Sequence, residues 1–161
     1  MDTINDLADA RLARFLAEEP VIWLSTVRPD GTPYLVPTWF AWDGQRVVMT
    51  SKPGAQKVRN LRANANAMLA LGDAEDDFDV GLLEARAELI DDAGALTPAF
   101  AAKYADRIAD LGLTPERFAA IYSTTIRLTP TRALGWHGRS EPASVVEAAR
   151  RVAAVRPVSI V

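Results

Sequence analysis

A buried strand that runs directly into a basic helix, over residues 47–61, most constrains the fold of this chain. Apolar residues at 47–49 are followed by two hydroxyls, Thr50 and Ser51, and Pro53-Gly54 then breaks the extended backbone. The rest of the stretch favours a helix, with apolar residues three positions apart on one face. The fold must therefore place the N-terminus of a helix at the end of a strand.

This strand–helix junction has the character of an anion site. A helix leaves its first N–H groups unpaired and carries partial positive charge at that end. Lys52, Lys57, Arg59 and Arg62 lie in the stretch 52–62, which contains no acidic residue. Hydroxyls, free amides and cations at one corner predict a phosphate site. The alternative is a solvated basic helix, because short motifs of this kind often arise by chance.

The composition limits the class of protein. With 161 residues and 49% apolar side chains, the chain is predicted to form one globular domain, residues 1–161. A net charge of -3 argues against general nucleic-acid binding. The absence of cysteine excludes disulfides and thiolate metal sites, and it fits a cytoplasmic location. No apolar run has membrane-spanning length and no signal peptide is visible, so no membrane partner is expected.

Few residues are candidates for metal or triad chemistry. His137 is the only histidine, so a Ser-His-Asp triad would have to use it, and a multi-histidine metal site is excluded. An acidic cluster at residues 73–79 is the obvious candidate for a hard cation. It lacks the glycine-centred spacing of a calcium loop, so we interpret it as a solvated loop and expect no metal.

Periodicity and turn signals place the helices and strands. We predict an amphipathic helix over residues 3–18, a helical insertion over about 97–121 and a C-terminal helix over about 143–155. Pro29-Asp30-Gly31 and Asp43-Gly44 are tight-turn signals between strands. The predicted strands cover residues 21–27, 34–42, 46–51, 67–71, 83–89, 122–128 and 132–136, the last two separated by Pro130.

Pro37 interrupts one of these strands. Because proline cannot donate to the hydrogen-bond ladder, we expect a bulge or a sheet edge there. Three consecutive hairpin strands, a crossover helix, further antiparallel strands and inserted helices together predict a small barrel in an α+β fold. No glycine-rich dinucleotide fingerprint is present, which disfavours a Rossmann domain.

Three blocks of sequence, within about residues 10–92, carry a family resemblance. They are the hairpin at 27–33, the strand at 36–40, and the helix at 57–61 followed by Asn64. In order and spacing they resemble the split β-barrel flavin/deazaflavin oxidoreductases, the superfamily of pyridoxamine 5′-phosphate oxidase. The resemblance implies a six-stranded antiparallel split β-barrel, the FMN-binding split barrel, with peripheral helices. It also implies a homodimer with two cofactors in grooves between the subunits.

The resemblance assigns a phosphate-binding role to several residues of the junction. Lys57 matches the phosphate-binding lysine of that superfamily, and Thr50 matches a phosphate-binding hydroxyl at the strand end. Ala55 stands where relatives often carry a serine or arginine ligand, so other groups must compensate. The candidates are Ser51, Lys52 and Arg59.

A second group of residues is assigned to the ring of the cofactor. Pro37, Thr38 and Trp39 match the strand whose backbone runs along the isoalloxazine ring. The segment 135–139 matches a region that reaches the ring or the substrate in relatives, often from the other subunit. Its Trp136 is a second candidate for a flat apolar wall. For each tryptophan the alternative is simple core packing, because large aromatic side chains dominate cores.

These expectations define a function. The resemblance leans toward the branch of the superfamily that uses the deazaflavin coenzyme F-420, so it implies an oxidoreductase that binds F-420, with FMN as the alternative, and transfers a hydride to or from a small organic substrate. The chain mainly orients the ring and shields it from water, and no catalytic residue is assigned. His137 is either a proton donor or a surface residue.

Three alternatives stay open at this point. The first is an FMN-dependent enzyme of the pyridoxamine phosphate oxidase type. The second is a non-catalytic carrier or sensor of flavin or deazaflavin in the same fold. The third is a haem-binding relative, whose axial ligand would have to be His137, the one histidine in the chain.

Overall fold

The computed structural model describes residues 2–4, 7–73, 78–91 and 96–138. Over these residues the chain forms eight strands and four helices. In chain order they are β1 (Asp2–Ile4), α1 (Ala10–Glu18), β2 (Ile22–Val27), β3 (Pro33–Thr38), β4 (Ala41–Trp42), β5 (Val47–Ser51), α2 (Gln56–Ala63), β6 (Asn66–Asp73), β7 (Phe78–Asp91), α3 (Pro98–Asp110), α4 (Pro115–Ile121) and β8 (Thr124–Gly138).

The described strands form one sheet in the order β3-β2-β6-β7-β8-β5-β4, with β1 also paired to β8. The strands at the two ends of this order, β3 and β4, are consecutive in the chain and are joined by Trp39 and Phe40 alone. The sheet must therefore curl until its edges almost meet, which makes an open barrel. Pro37 lies on the edge strand β3, one of the two places where a missing N–H is tolerated.

The α+β split-barrel class is confirmed, although the strand count and one connection differ from the prediction. The count exceeds six because two short strands, β1 and β4, accompany six longer ones in the described residues. Both predicted hairpins are present, β2 with β3 and β4 with β5, but the predicted middle strand 34–42 is divided into β3 and β4, and β5 pairs on its other side with β8. The chain leaves the ladder after Thr38 because the N–H of Phe40 donates to the Tyr104 hydroxyl, at 2.9 Å.

The N-terminal helix is shorter than the predicted 3–18. It begins at Ala10, because the Asp9 carboxylate accepts a hydrogen bond from the Arg11 N–H at 2.8 Å and so caps the first turn. Residues 2–4 instead form β1, which pairs with the end of β8. The apolar spacing was misleading here because a strand far along the chain determines the structure of these residues.

Pro130 does not separate a pair of strands as predicted. It lies within the continuous strand β8, which pairs with β7 in a register that shifts next to Glu84. Thr131 is the extra residue of this bulge, and its hydroxyl donates to the Glu84 carbonyl at 3.2 Å. A bulge accommodates proline because the ladder is already interrupted there.

Two apolar cores stabilise the fold. The larger lies inside the curled sheet, where α1 contributes Leu12, Phe15 and Leu16. The smaller joins the helices α3 and α4 to β4. Its buried members are Ala41, Phe100, Tyr104, Ile108 and Phe118.

The helices α3 and α4 lie within the range of the predicted helical insertion. Thr97 and Thr114 cap them, each accepting a hydrogen bond from the N–H three residues later, with proline directly after each cap. Among the described helices, none is long and apolar enough to cross a membrane. The predicted C-terminal helix at 143–155 and the centre of the acidic cluster, 74–77, lie outside the described residues.

Candidate functional site

A cavity of about 310 Å³ opens where the ends of β3 and β5, the start of α2 and the helices α3 and α4 come together. Seven of the nine predicted site residues line it. They are Pro37, Thr38, Trp39, Thr50, Ser51, Lys52 and Lys57. The junction of β5 and α2, which the sequence predicted to be a phosphate site, therefore forms one end of a cavity.

Ser51 supplies an unsatisfied polar group at this end of the cavity. Its side chain is 1% exposed, and its hydroxyl has no hydrogen-bond partner among the described residues. A buried polar group without a partner costs roughly 1–3 kcal/mol of stability. A ligand oxygen in the cavity would accept a hydrogen bond from this hydroxyl and remove that cost.

Lys57 lies beside it in the first turn of α2. Burial lowers the pKa of this lysine below its ordinary value of 10.5, because the ammonium group loses hydration. Within the described residues, no carboxylate or hydrogen-bond acceptor pairs with it. The helix adds positive potential, since Ala55 provides no side-chain cap and the first turn contains no acidic residue. This arrangement is suited to an anionic partner.

Three further predicted residues complete the polar side. Lys52 is exposed at the rim, where its ammonium lies 5.7 Å from the ring centroid of Tyr122. Thr50 is half-buried at the end of β5. Within the described part of the chain, the Thr38 hydroxyl donates only a long hydrogen bond, at 3.4 Å, to the carbonyl of Trp39. The cavity thus holds additional donors around the site of Lys57.

Aromatic side chains form the opposite wall. The indole of Trp39 is stacked with Tyr104 and lies 5.9 Å from the ring of Phe118, with 11° between those two planes. Phe118 stacks in turn on Tyr122, with centroids 4.4 Å apart. Phe100 and the exposed Leu111 close this side of the cavity.

The sequence prediction missed the contribution of α3 and α4 to the cavity. The apolar stripe of α3, including Phe100 and Leu111, was visible in the sequence. Such a stripe shows that one helix face is buried, but it does not show that some of that face borders a cavity.

Arg59 does not line this cavity, although the sequence made it a candidate phosphate ligand. Its guanidinium donates one hydrogen bond to the Gly54 carbonyl and another to the side-chain oxygen of Gln56. The guanidinium of Arg59 therefore contacts the turn before α2 and not the cavity.

Trp136 does not line this cavity within one chain either. It lies on β8 opposite Val80 of β7 and is 39% exposed. The backbone of His137 pairs with that of Asp79, while its imidazole lies outside the described side chains, as does the whole of Arg139.

The geometry of the cavity suits a flat ligand that ends in an anion. Aromatic and apolar walls favour a planar ring, and a few converging polar groups fix its orientation. A phosphate at the polar end would offer acceptors to the Ser51 hydroxyl and charge to Lys57. Cofactors with a tricyclic ring and a ribityl phosphate have both features, so the residues present fit such a group.

A comparison with protein families decides the assignment. The model of the family described as pyridoxamine 5′-phosphate oxidase matches residues 8–137, most of the chain. The chain belongs to this family. Pyridoxamine 5′-phosphate oxidase-like proteins bind flavin-type cofactors in a split barrel, in agreement with the fold and with the shape of the cavity.

Solved structures of other proteins share the fold. An F420 reductase is 27% identical to this chain, with a TM-score of 0.59, and the match covers 74% of this chain and 93% of that one. An FAD-binding protein from Mesorhizobium loti is 17% identical, with a TM-score of 0.64 and coverages of 86% and 99%. A haem storage protein from Vibrio cholerae is 17% identical, with a TM-score of 0.60 and coverages of 82% and 96%. The last two likenesses concern the fold alone. No curated protein matches the chain.

Proposed function

We propose that this protein is an oxidoreductase that binds the deazaflavin coenzyme F-420 and transfers a hydride to or from a small organic substrate. The observation that carries the proposal is the unneutralised polar end of the cavity. There Lys57 and the Ser51 hydroxyl both lack a partner among the described residues, next to an uncapped helix N-terminus. A single anionic group would be a partner for Lys57, for the Ser51 hydroxyl and for the N-terminus of α2.

The chain's own residues have separate tasks in this proposal. Lys57 and Ser51 hold the phosphate, with Lys52 and Thr50 as further donors beside them. Pro37, Thr38 and Trp39 orient the ring along β3. When bound, the ring supplies the hydride chemistry, which is a property of the cofactor. The aromatic wall from α3 and α4 excludes water from the reacting face.

The choice of deazaflavin over FMN rests on similarity. The F420 reductase shares 27% of its aligned residues with this chain, whereas the FAD-binding and haem storage proteins share 17%. FMN is the alternative cofactor, since the polar end and the aromatic wall suit either tricyclic ring. A non-catalytic carrier in the same fold is the alternative function, because the fold is shared with a protein named for haem storage.

A homodimer belongs to the proposal, because one outer face of the sheet is apolar. Trp23, Val27 and Leu35 point outward from β2 and β3 and are 47%, 37% and 57% exposed. The register from β2 through β6 and β7 to β8 places Trp136 on the same face. Apolar patches of this kind mark interfaces. We propose that a second copy docks on this face and that Trp136 joins the site of the partner in this way.

A cytoplasmic location completes the proposal. It is supported by the absence of cysteine from a chain of 161 residues, which gives the fold no disulfides to form in an oxidising compartment.

A ligand titration tests the binding step directly. The purified protein is titrated with coenzyme F-420 and with FMN, following the quenching of tryptophan fluorescence, and native mass spectrometry identifies any ligand that is retained on purification. We expect micromolar or tighter binding of F-420. If neither compound binds, the proposed function is wrong, and haem should then be tried as the ligand.

A turnover assay separates an enzyme from a carrier. Reduced F-420 is mixed with the protein and a panel of quinones and enones, and the oxidation of the deazaflavin is followed by its absorbance. Turnover of at least one acceptor is expected. Tight binding with no turnover across the panel would favour the carrier.

A further inference from the structure

Arg59 belongs to a chain of side-chain hydrogen bonds that runs from the turn before α2 into the barrel. The guanidinium donates to the Gly54 carbonyl and to the Gln56 side-chain oxygen. The Gln56 amide donates to the Asn60 side-chain oxygen at 2.7 Å. The Asn60 amide donates in turn to the Thr26 hydroxyl of β2 at 3.0 Å.

The inner half of this chain is fully buried. Asn60 and Thr26 have almost no exposed surface. Buried amides and hydroxyls are stable only when hydrogen-bonded, so these contacts fix the position of α2 against β2. The hydrogen bonds of Arg59 fix the turn, because Gly54 directly precedes Ala55, the N-cap position of α2.

Arg59 and Lys57 lie on different sides of one helix. Gln56, Arg59 and Asn60 occupy positions i, i+3 and i+4, which share a face of α2. Lys57 is one position further around the helix and borders the cavity, whereas neither Gln56 nor Arg59 does. The network is therefore placed to orient the turn and the first amides without touching a ligand.

We infer that Arg59 and Gln56 are positioning residues that hold the turn and the N-terminus of α2 in the geometry that binds the phosphate, and that Arg59 is not a ligand of the phosphate. The inference rests on the anion site of the proposed function. In this inference the charge of Lys57 binds the phosphate, and the planar guanidinium of Arg59 orients the turn before α2.

The shape of the guanidinium makes the two roles separable. Its N–H groups form a rigid fork, which reaches the Gly54 carbonyl and the Gln56 oxygen together. A lysine at this position keeps the charge but lacks the fork. A residue that acts on the phosphate through its charge would keep most of its effect in Arg59→Lys, whereas a positioning residue would lose it.

The test compares three variants, Arg59→Lys, Arg59→Gln and Gln56→Ala, by calorimetric titration with FMN and with riboflavin, which has the same ring and no phosphate. If FMN does not bind, F-420 and the deazariboflavin that lacks its phosphate replace them, with the same expectations. We expect each variant to weaken FMN binding by about three- to tenfold, the range of one lost hydrogen bond. Riboflavin affinity and the dependence of FMN affinity on salt should stay as in the unaltered protein. Lys57→Ala, in contrast, should reduce the salt dependence.

The outcomes separate this inference from the proposed function. Normal FMN affinity in Arg59→Lys with a loss in Arg59→Gln would identify Arg59 as a charge ligand and overturn the inference alone. Unchanged FMN affinity in all three variants would also overturn it. If the unaltered protein binds neither FMN nor F-420, both the inference and the proposed function fail. Thermal unfolding and the riboflavin titration verify that each variant is folded.

Discussion

The hydroxyl of Tyr104 contacts both backbone groups of Phe40. It accepts a hydrogen bond from the Phe40 N–H at 2.9 Å and lies 2.8 Å from the Phe40 carbonyl and from the carbonyl of Pro20. Burial raises the pKa of this phenol, so it stays protonated and able to donate. The ring of Tyr104 also stacks on Trp39 with centroids 4.8 Å apart. One residue of α3 therefore fixes the link between β3 and β4.

The first prediction follows from this contact. Tyr104→Phe leaves the buried N–H of Phe40 without its acceptor, so we expect a loss of about 1–3 kcal/mol in the free energy of unfolding. Urea unfolding followed by circular dichroism measures it. Tyr122→Phe is the matched control, since no hydrogen bond to its hydroxyl occurs among the described residues. Equal stability of the two variants would contradict the role given to Tyr104.

The second prediction concerns the phosphate ligand. Lys57→Ala should weaken FMN binding by about 1.5–3 kcal/mol, because a charge-assisted hydrogen bond to the phosphate is lost. Riboflavin affinity should change little, and isothermal titration calorimetry measures both. Lys52→Ala is the matched control. Its ammonium is exposed to solvent, so a smaller loss is expected. Equal losses for FMN and riboflavin would show that the phosphate does not contact Lys57.

The third prediction is the pH dependence of binding. A bound phosphate favours the charged form of Lys57, whose pKa is lowered by burial in the free protein. Binding above that lowered pKa therefore requires proton uptake, and the FMN affinity should fall as the pH rises toward the ordinary lysine value. Comparing FMN with riboflavin from about pH 7.5 to 9.5 removes the effect of the ring's own titration. Lys57→Arg should flatten the profile, because a guanidinium keeps its charge.

The same shift affects folding with a defined sign. The folded protein releases the proton of Lys57 at a lower pH than the unfolded chain, which holds it to about 10.4. In that interval the unfolded state binds more protons, so burial of Lys57 becomes less costly and its contribution to stability improves as the pH rises. Urea unfolding of the unaltered protein and of Lys57→Met across this interval should show the difference. A bound anion that neutralises Lys57 should reduce this difference in pH dependence.

The fourth prediction tests the proposed dimer. Trp23→Asp places a charge in the centre of the apolar outer face, so we expect monomers in light scattering after size-exclusion chromatography. Ile121→Asp is the matched control, because Ile121 is 40% exposed on α4 and Trp23 is 47% exposed on β2. Cofactor affinity should fall with the loss of the dimer if the groove needs both copies. A dimer that persists in Trp23→Asp would place the interface elsewhere.

Local signals in the sequence were sufficient to predict the junction of β5 and α2. The hydroxyls, the Pro53-Gly54 turn and the lysines follow one another within a few residues, so no long-range contact was needed to place them together. The same holds for the starts of α3 and α4, where Thr97 and Thr114 precede proline. Capping chemistry depends on neighbours in sequence and could therefore be predicted.

Features that depend on distant pairing could not be predicted in the same way. Residues 2–4 have helical spacing with the residues that follow, yet they pair with β8. The predicted strand 34–42 is interrupted after Thr38 because the Phe40 N–H donates to Tyr104 of α3, and β5 gains a second partner in β8. The aromatic wall of the cavity depends on how α3 and α4 pack, which apolar periodicity does not specify. Trp23 lies exposed on the outer face, although a large aromatic side chain favours a core position.

The short link of Trp39 and Phe40 between the two sheet edges has a consequence for redesign. Trp39 borders the cavity, while Phe40 is fully buried and joins the barrel interior. Substitutions at Trp39 or Phe40 would therefore disturb the closure of the barrel and the selectivity for ligands together. Leu111 also lines the cavity, stays 56% exposed and belongs to neither core. New acceptor preferences should therefore be sought first at the end of α3, where the cavity can be reshaped while the barrel stays intact.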